Sequence, residues 1–152
     1  MNKPRGFLTS LDLGALDVAS FETDGLIDLI YAPESRYRSN GSFVMNRRTI
    51  NAVRKFKDAD GNYIWQPSAA AGTPSTLLGY PLVEMEDMPD IGGGEACVAF
   101  GDFRRGYLIA DRQGVRVLRD PYSAKPYVLF YTTKRVGGGV QDADAIKVLR
   151  VS

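Results

Sequence analysis

Histidine is absent from this chain, and cysteine occurs once, at position 97. Without histidine there is no Ser/His or Cys/His nucleophile pair, and no Cys/His set to hold zinc. A lone cysteine cannot close an internal disulfide, so the fold does not depend on an oxidising compartment. Cys97 stands among Ala96, Val98, Ala99 and Phe100 and reads as an inert core residue. Strong charge of either sign is also missing. Nineteen basic against eighteen acidic residues leave +1, too weak a field to favour nucleic acid or an anionic membrane. No run of about 18 apolar residues occurs, and Met1-Asn2-Lys3-Pro4-Arg5 leads into no signal-peptide core. The expectation is a soluble chain with no membrane partner.

What is present is turn chemistry and aromatic surface. Sixteen glycines and eight prolines fall between short apolar runs in 152 residues, enough for one domain or one with a projecting subdomain. Such punctuation predicts many turns and strands with few long helices. Eight tyrosines and seven phenylalanines sit mainly in the apolar runs, where flat rings pack on a sheet.

Along the chain, the first 20 residues predict extended structure. A short helix follows, with Thr23 as cap, Asp24 at its positive end, and Leu26, Ile27 and Ile30 on one face; Pro33 stops it. Ser42 to Met45 reads as a strand. Asn46 caps a second helix running to about Phe56, with Ile50, Val53 and Phe56 inward. A turn at Lys57 to Asn62 leads to a short strand at Tyr63-Ile64-Trp65, and the small residues of Pro67 to Pro74 predict a loop. Tyr80 to Met85 is extended, Pro81 favouring an edge or strand start. Met88 to Gly94 is a loop, and Ala96 to Phe100 is a buried strand.

Beyond Gly101-Asp102, two runs flank Arg112-Gln113-Gly114: Tyr107 to Asp111 and Val115 to Arg119. Gly114 there permits a tight turn or a bulge. Tyr127 to Val136 predicts one long strand, broken by Gly137-Gly138-Gly139, and Ile146 to Val151 is the last strand. The fold class is α+β. A small mixed sheet with two short flanking helices (residues 1–100 with 141–152) carries an elongated projecting β hairpin (101–140). A ten-residue strand spans roughly 33 Å, so the hairpin should project, and a free edge of that kind invites pairing with another chain. One of its faces should expose Val128 and Phe130, or Leu129 and Tyr131, unless it folds on the body or pairs with a second copy.

Catalytic constellations are weak. Glu84/Glu86/Asp87, Asp58/Asp60 and Asp142/Asp144 could supply an acid and a base, but only if environment splits their pKa values; solvated loop carboxylates and turn aspartates account for them better. A carboxylate-based hydrolase or transferase using Glu84 and Asp111 is the competing enzyme reading. Asp58-Ala59-Asp60-Gly61-Asn62 is superficially like a calcium loop but lacks the twelve-residue frame and its terminal glutamate. Gly92-Gly93-Gly94 and Gly137-Gly138-Gly139 match no phosphate-binding spacing. Two basic groups remain, Arg47/Arg48/Arg54/Lys55/Lys57 and Arg104/Arg105/Arg112/Arg116/Arg119; the second alternates with Asp102, Asp111 and Asp120 and suits protein contacts better than nucleic acid. The reading assigns no catalytic, cofactor-binding or metal-binding residue.

The order of phrases carries a resemblance. Pro4-x-Gly6-Phe7-Leu8 is followed by Val44-Met45-Asn46 with Thr49, then Lys57-Asp58-x-Asp60-Gly61-x-Tyr63-x-Trp65. Leu78-Gly79-Tyr80-Pro81 and Met88-Pro89 come next. Phe100-Gly101-Asp102-Phe103 then leads to Gly106-Tyr107-x-Ile109 and Asp111-Arg112-x-Gly114, with Arg135 and Ala145 to Leu149 completing the series. Together these resemble the major capsid protein family of tailed bacteriophages, with the Hong Kong 97-type fold. The resemblance implies an icosahedral shell subunit that is not an enzyme and needs no cofactor, located in the virion capsid and in the bacterial cytoplasm during assembly or prophage expression. Its partners would be copies of itself in hexamers and pentamers, with scaffold, portal and packaged DNA as further ones. Residues 1–100 with 141–152 would be the axial domain, and 101–140 the peripheral domain's arm, whose tip, Asp120 to Pro126, meets neighbours. The family's N-terminal arm, extended loop and spine helix precede the Pro-x-Gly-Phe-Leu phrase, so this chain reads as the C-terminal part of a subunit, a monomer or weak oligomer on its own. The Lys–Asn cross-link of some relatives is not carried over, because the tip has no asparagine. A nanocompartment shell protein is the alternative within the fold.

Overall fold

The computed structural model describes residues 4–10, 13–65 and 75–152; the expected loop from Pro67 to Pro74 lies outside the described residues. The N-terminal stretch is more structured than the predicted extended run, with a 3-10 turn at Phe7–Thr9 and strand β1 at Gly14–Val18. Helix α1 is Thr23–Tyr31. Glu22 holds its N-cap position without a side-chain bond, so Thr23 opens the helix and does not cap it. The buried face is Leu26, Leu29 and Ile30, and Ile27 points outward at 39% exposure. The spacing explains this correction: positions 26, 29 and 30 share a helix face, and 27 lies about 100° away.

A one-turn helix, α2 (Ser35–Arg38), precedes strand β2 (Ser42–Met45) and helix α3 (Arg47–Arg54). Asn46 caps α3, its side-chain oxygen accepting from Thr49 N at 2.8 Å. The turn after α3 closes on Asp58, whose Oδ1 accepts from the N–H groups of Asp60 (3.0 Å) and Asn62 (2.8 Å). Tyr63-Ile64-Trp65 forms only an isolated bridge from Tyr63 to Lys57, not the strand expected. A turn this tight leaves no length for a ladder; Trp65 instead reaches Thr76 O through its ring N–H, at 2.7 Å.

Strands β3 (Thr76–Leu77), β4 (Tyr80–Glu84), β5 (Ala96–Gly101) and β8 (Ile146–Val151) complete a six-stranded mixed sheet in the order β1-β8-β5-β2-β4-β3. The central strands face a core on both sides, which is why β5 reads as an unbroken apolar run. Phe43, Met45, Phe100, Leu149 and Val151 point to one side, where α1 and Val53 of α3 cover them. Val44, Ala99, Ile146 and Val148 point to the other, under Phe7, Leu8 and Met88. Phe43 and Phe100 pack at 4.7 Å between ring centres, with Tyr80 edge-on to Phe100 at 5.0 Å.

A second, two-stranded sheet pairs β6 (Tyr107–Asp120) with β7 (Leu129–Val140), entered through the one-turn helix α4 (Phe103–Gly106). Arg112 to Gly114 forms no turn: the strand runs through, and the register shifts between Asp111 and Gln113 and again before Arg116, so the glycine region is a bulge. Gly137 to Gly139 does not break β7, contrary to the sequence expectation. The Tyr107 ring explains the glycine at position 138, since a Cβ on Gly138 would stand 2.7 Å from Tyr107 Oη. Twelve to fourteen residues at about 3.3 Å each give a ribbon about 40 Å long.

Candidate assembly surface

The ribbon is fastened at its root. Asp102, only 2% exposed, caps α4 by accepting from the N–H groups of Arg104 (3.1 Å) and Arg105 (3.3 Å), and takes Asn40 Nδ2 at 3.2 Å. Gly106 O accepts from Gln141 N (2.9 Å) and Asp142 N (3.3 Å), so one carbonyl ties the chain entering the ribbon to the chain leaving it. Tyr107 donates its hydroxyl to Arg5 O at 2.6 Å, and Arg5 N donates to Gly138 O at 3.0 Å, clamping the N-terminal segment across the same place. Next to it Gly101, at φ +153°, crosses β8 so closely that a Cβ would fall 2.0 Å from Ala145 O. Only glycine fits there.

A further tie comes from α2. Tyr37, a buried ring, donates its hydroxyl to Asp142 Oδ2, just beyond the end of β7. That bond holds the Asp142 carboxyl below the usual carboxylate range and raises the tyrosine hydroxyl. Sequence reading missed this pair because its members lie 105 residues apart and α2 is too short to show a period.

Past the root, the ribbon's side chains meet little of the chain. Ile109, Val115, Val117, Leu118, Phe130 and Tyr131 are all exposed. The expected alternative that the arm folds on the body is therefore not what the single chain adopts. The tip is ordered locally: Asp120 accepts from the Tyr122 and Ser123 N–H groups and the Ser123 hydroxyl, and these bonds lower its pKa.

The carboxylates singled out from sequence are scattered and mostly engaged. Glu84 lies on β4 and Asp111 on β6, in different sheets, and Asp111 is paired with Lys134 at 2.8 Å. Glu86 meets Arg47 at 3.5 Å, and Asp144 meets Lys147 at 3.1 Å. Asp90 is held by Arg48 and Asn46, which push its pKa down, and the Asn62 N–H does the same for Asp58. Asn46 does more than the cap its position announced: its Nδ2 donates to Met88 O (2.9 Å), Pro89 O (3.1 Å) and Asp90 Oδ1 (2.7 Å). Gly92, Gly93 and Gly94 all adopt positive φ in a turn that ends with Gly94 N on Val151 O. Cys97 is fully buried, and burial pushes its thiol pKa up.

The sequence model of the phage capsid family matches residues 1–151, and the chain belongs to that family. Its fold is that of the capsid of an empty GTA particle computed with C5 symmetry, at 50% identity and TM-score 0.83 over 99% of this chain and 57% of that one. The capsid of a native GTA particle gives 52% identity and TM-score 0.80 over 92% and 50%. The holo-SrpI encapsulin complex from Synechococcus elongatus shares the fold at 18% identity and TM-score 0.63, over 95% of this chain and 55% of that one. No curated protein matches. The chain spans 57% and 50% of the length of the two GTA capsid chains.

Proposed function

We propose that the chain is part of the shell subunit of a phage or prophage capsid and works by self-assembly around a genome, not by catalysis. The observation that carries this reading is the family match over residues 1–151, and the exposed apolar ribbon supports it. Residues 1–100 with 141–152 act as the axial-domain-like body and 101–140 as the peripheral-domain-like arm. In the whole subunit, copies associate as hexamers and pentamers, with scaffold, portal and packaged DNA as further partners, in the virion and in the bacterial cytoplasm during assembly. No residue is assigned a catalytic, cofactor or metal role. The nanocompartment alternative rests on fold alone, at 18% identity against 50% for the GTA capsid.

A stable interface buries roughly 1,600 Å² in total, and a 152-residue chain holds few such surfaces. It should therefore sediment as a monomer or weak oligomer and form no closed shells by electron microscopy. The uninterrupted reading frame that contains it should form shells. Closed particles from the 152 residues alone, or none from the complete frame under any condition, would count against the reading.

A further inference from the structure

The net charge of +1 conceals an asymmetry. Residues 101–140 carry eight basic and three acidic side chains and the rest of the chain eleven and fifteen, so the arm stands at +5 and the body at −4. The arm's surplus is not neutralised where it lies. Lys134 pairs with Asp111, but Arg112, Arg116, Arg119 and Arg135 have no ion-pair partner among the described residues.

Two of these arginines share a face. The register sets Gln113 opposite Arg135, Arg116 opposite Thr133 and Leu118 opposite Tyr131, and opposed residues of an antiparallel pair project from the same side. That side presents Arg116 and Arg135 around Leu118 and Tyr131, which are 65% and 58% exposed. Arginine and aromatic side chains around an apolar centre are the make-up of an interface core, and a guanidinium fork matches a carboxylate.

Charge decides which surface can cover this face. Two ribbons laid side by side would set +5 against +5, and like charges opposed across an interface disfavour that pairing. Arms can meet at the tip, where Asp120 and Lys125 balance, but not along their length. The body of a second copy, at −4, attracts them. Its acidic residues are densest from Glu84 to Glu95, beside the exposed Val83 and Met85; there Arg47 and Arg48 offset Glu86 and Asp90, while Glu84, Asp87 and Glu95 have no ion pair among the described residues. We propose that the Arg116, Leu118, Tyr131 and Arg135 face docks on the acidic body of a second copy of this chain. Self-association is then ionic and head-to-tail, the geometry that closes into rings. This inference rests on the capsid reading and names the partner surface within it.

Sedimentation velocity of the intact 152-residue chain over a concentration series tests the proposal. Raising ionic strength from about 0.01 M to about 1 M shortens the screening length from about 30 Å to about 3 Å, and association should weaken at least tenfold (~10-fold). Arg116→Glu with Arg135→Glu should abolish it at low salt, and so should Glu84→Lys with Asp87→Lys. An equimolar mixture of the two charge-reversed chains should associate again, which a misfolded variant could not do. Association indifferent to salt and to both reversals, or a chain monomeric at every concentration and salt, overturns the ionic docking. Neither result touches the capsid reading, which is judged separately by shell formation from the complete reading frame.

Discussion

Asn46 shows how much one side chain can hold. Its oxygen caps α3 and its nitrogen gathers Met88 O, Pro89 O and Asp90, so a single buried amide joins a helix start to the loop after β4. Asn46→Ala removes the cap and leaves buried acceptors unmatched, and should cost about 2–3 kcal/mol in urea unfolding. Asn46→Asp keeps the cap but sets a carboxylate against two carbonyls and Asp90; it should be at least as harmful at neutral pH, recovering in part as the pH falls. Among the described residues, Asp58, Asp90, Asp120 and Asp142 have lowered pKa values and set the sign of the acid response. Their stabilisation is complete above the unfolded value of 3.8 and is lost as pH falls through the lower folded values. Tyr37 acts oppositely, contributing below 10.0 and losing its share as pH rises past its raised value. With no histidine to titrate between, the urea midpoint should stay level from about pH 5 to about pH 8 and fall below about pH 4. A step near pH 6.5 (about the histidine range) would contradict this account.

At the scale of elements, the sheet and the ribbon differ in how they are held. Strands β5 and β8 lie under side chains on both faces, whereas past its root the ribbon is supported, among the described residues, mainly by its own ladder. In the isolated chain, amides of β5 and β8 should exchange with deuterium only through global unfolding, and those of 115–119 and 129–135 at least about a hundredfold faster. Equal protection would mean that the ribbon has a cover within a single chain. Gly138→Val should push Tyr107 off Arg5 and spread fast exchange into the ribbon's root, leaving β5 unaffected. The same contrast explains what could be read from sequence. Strands β2, β5 and β8 and the Asn46 cap were legible because alternation, an unbroken apolar run and a cap residue are local signals. The passage of β7 through Gly137-Gly138-Gly139 was not, because the contact that favours glycine at position 138 is with the Tyr107 ring, far earlier in the chain. The one-turn helices α2 and α4 were illegible for lack of a period, and so, with them, was the Tyr37–Asp142 tie.

For the whole molecule, an α+β body is rooted to a cationic ribbon that exposes apolar side chains, and the chain belongs to the phage capsid family. The order of short phrases along the chain made that family legible from sequence. The partner surface was not legible, because charges cancelling to +1 overall hide a separation that appears only once the ribbon is seen as a distinct sheet. The most direct test of the central claim is made on particles. Nuclease-resistant particles banded from the source cells should yield peptides from across residues 4–152 at the abundance of the main shell protein, measured by quantitative mass spectrometry. Particles that contain no peptide of this chain, beside abundant free chain in the soluble fraction, would contradict it.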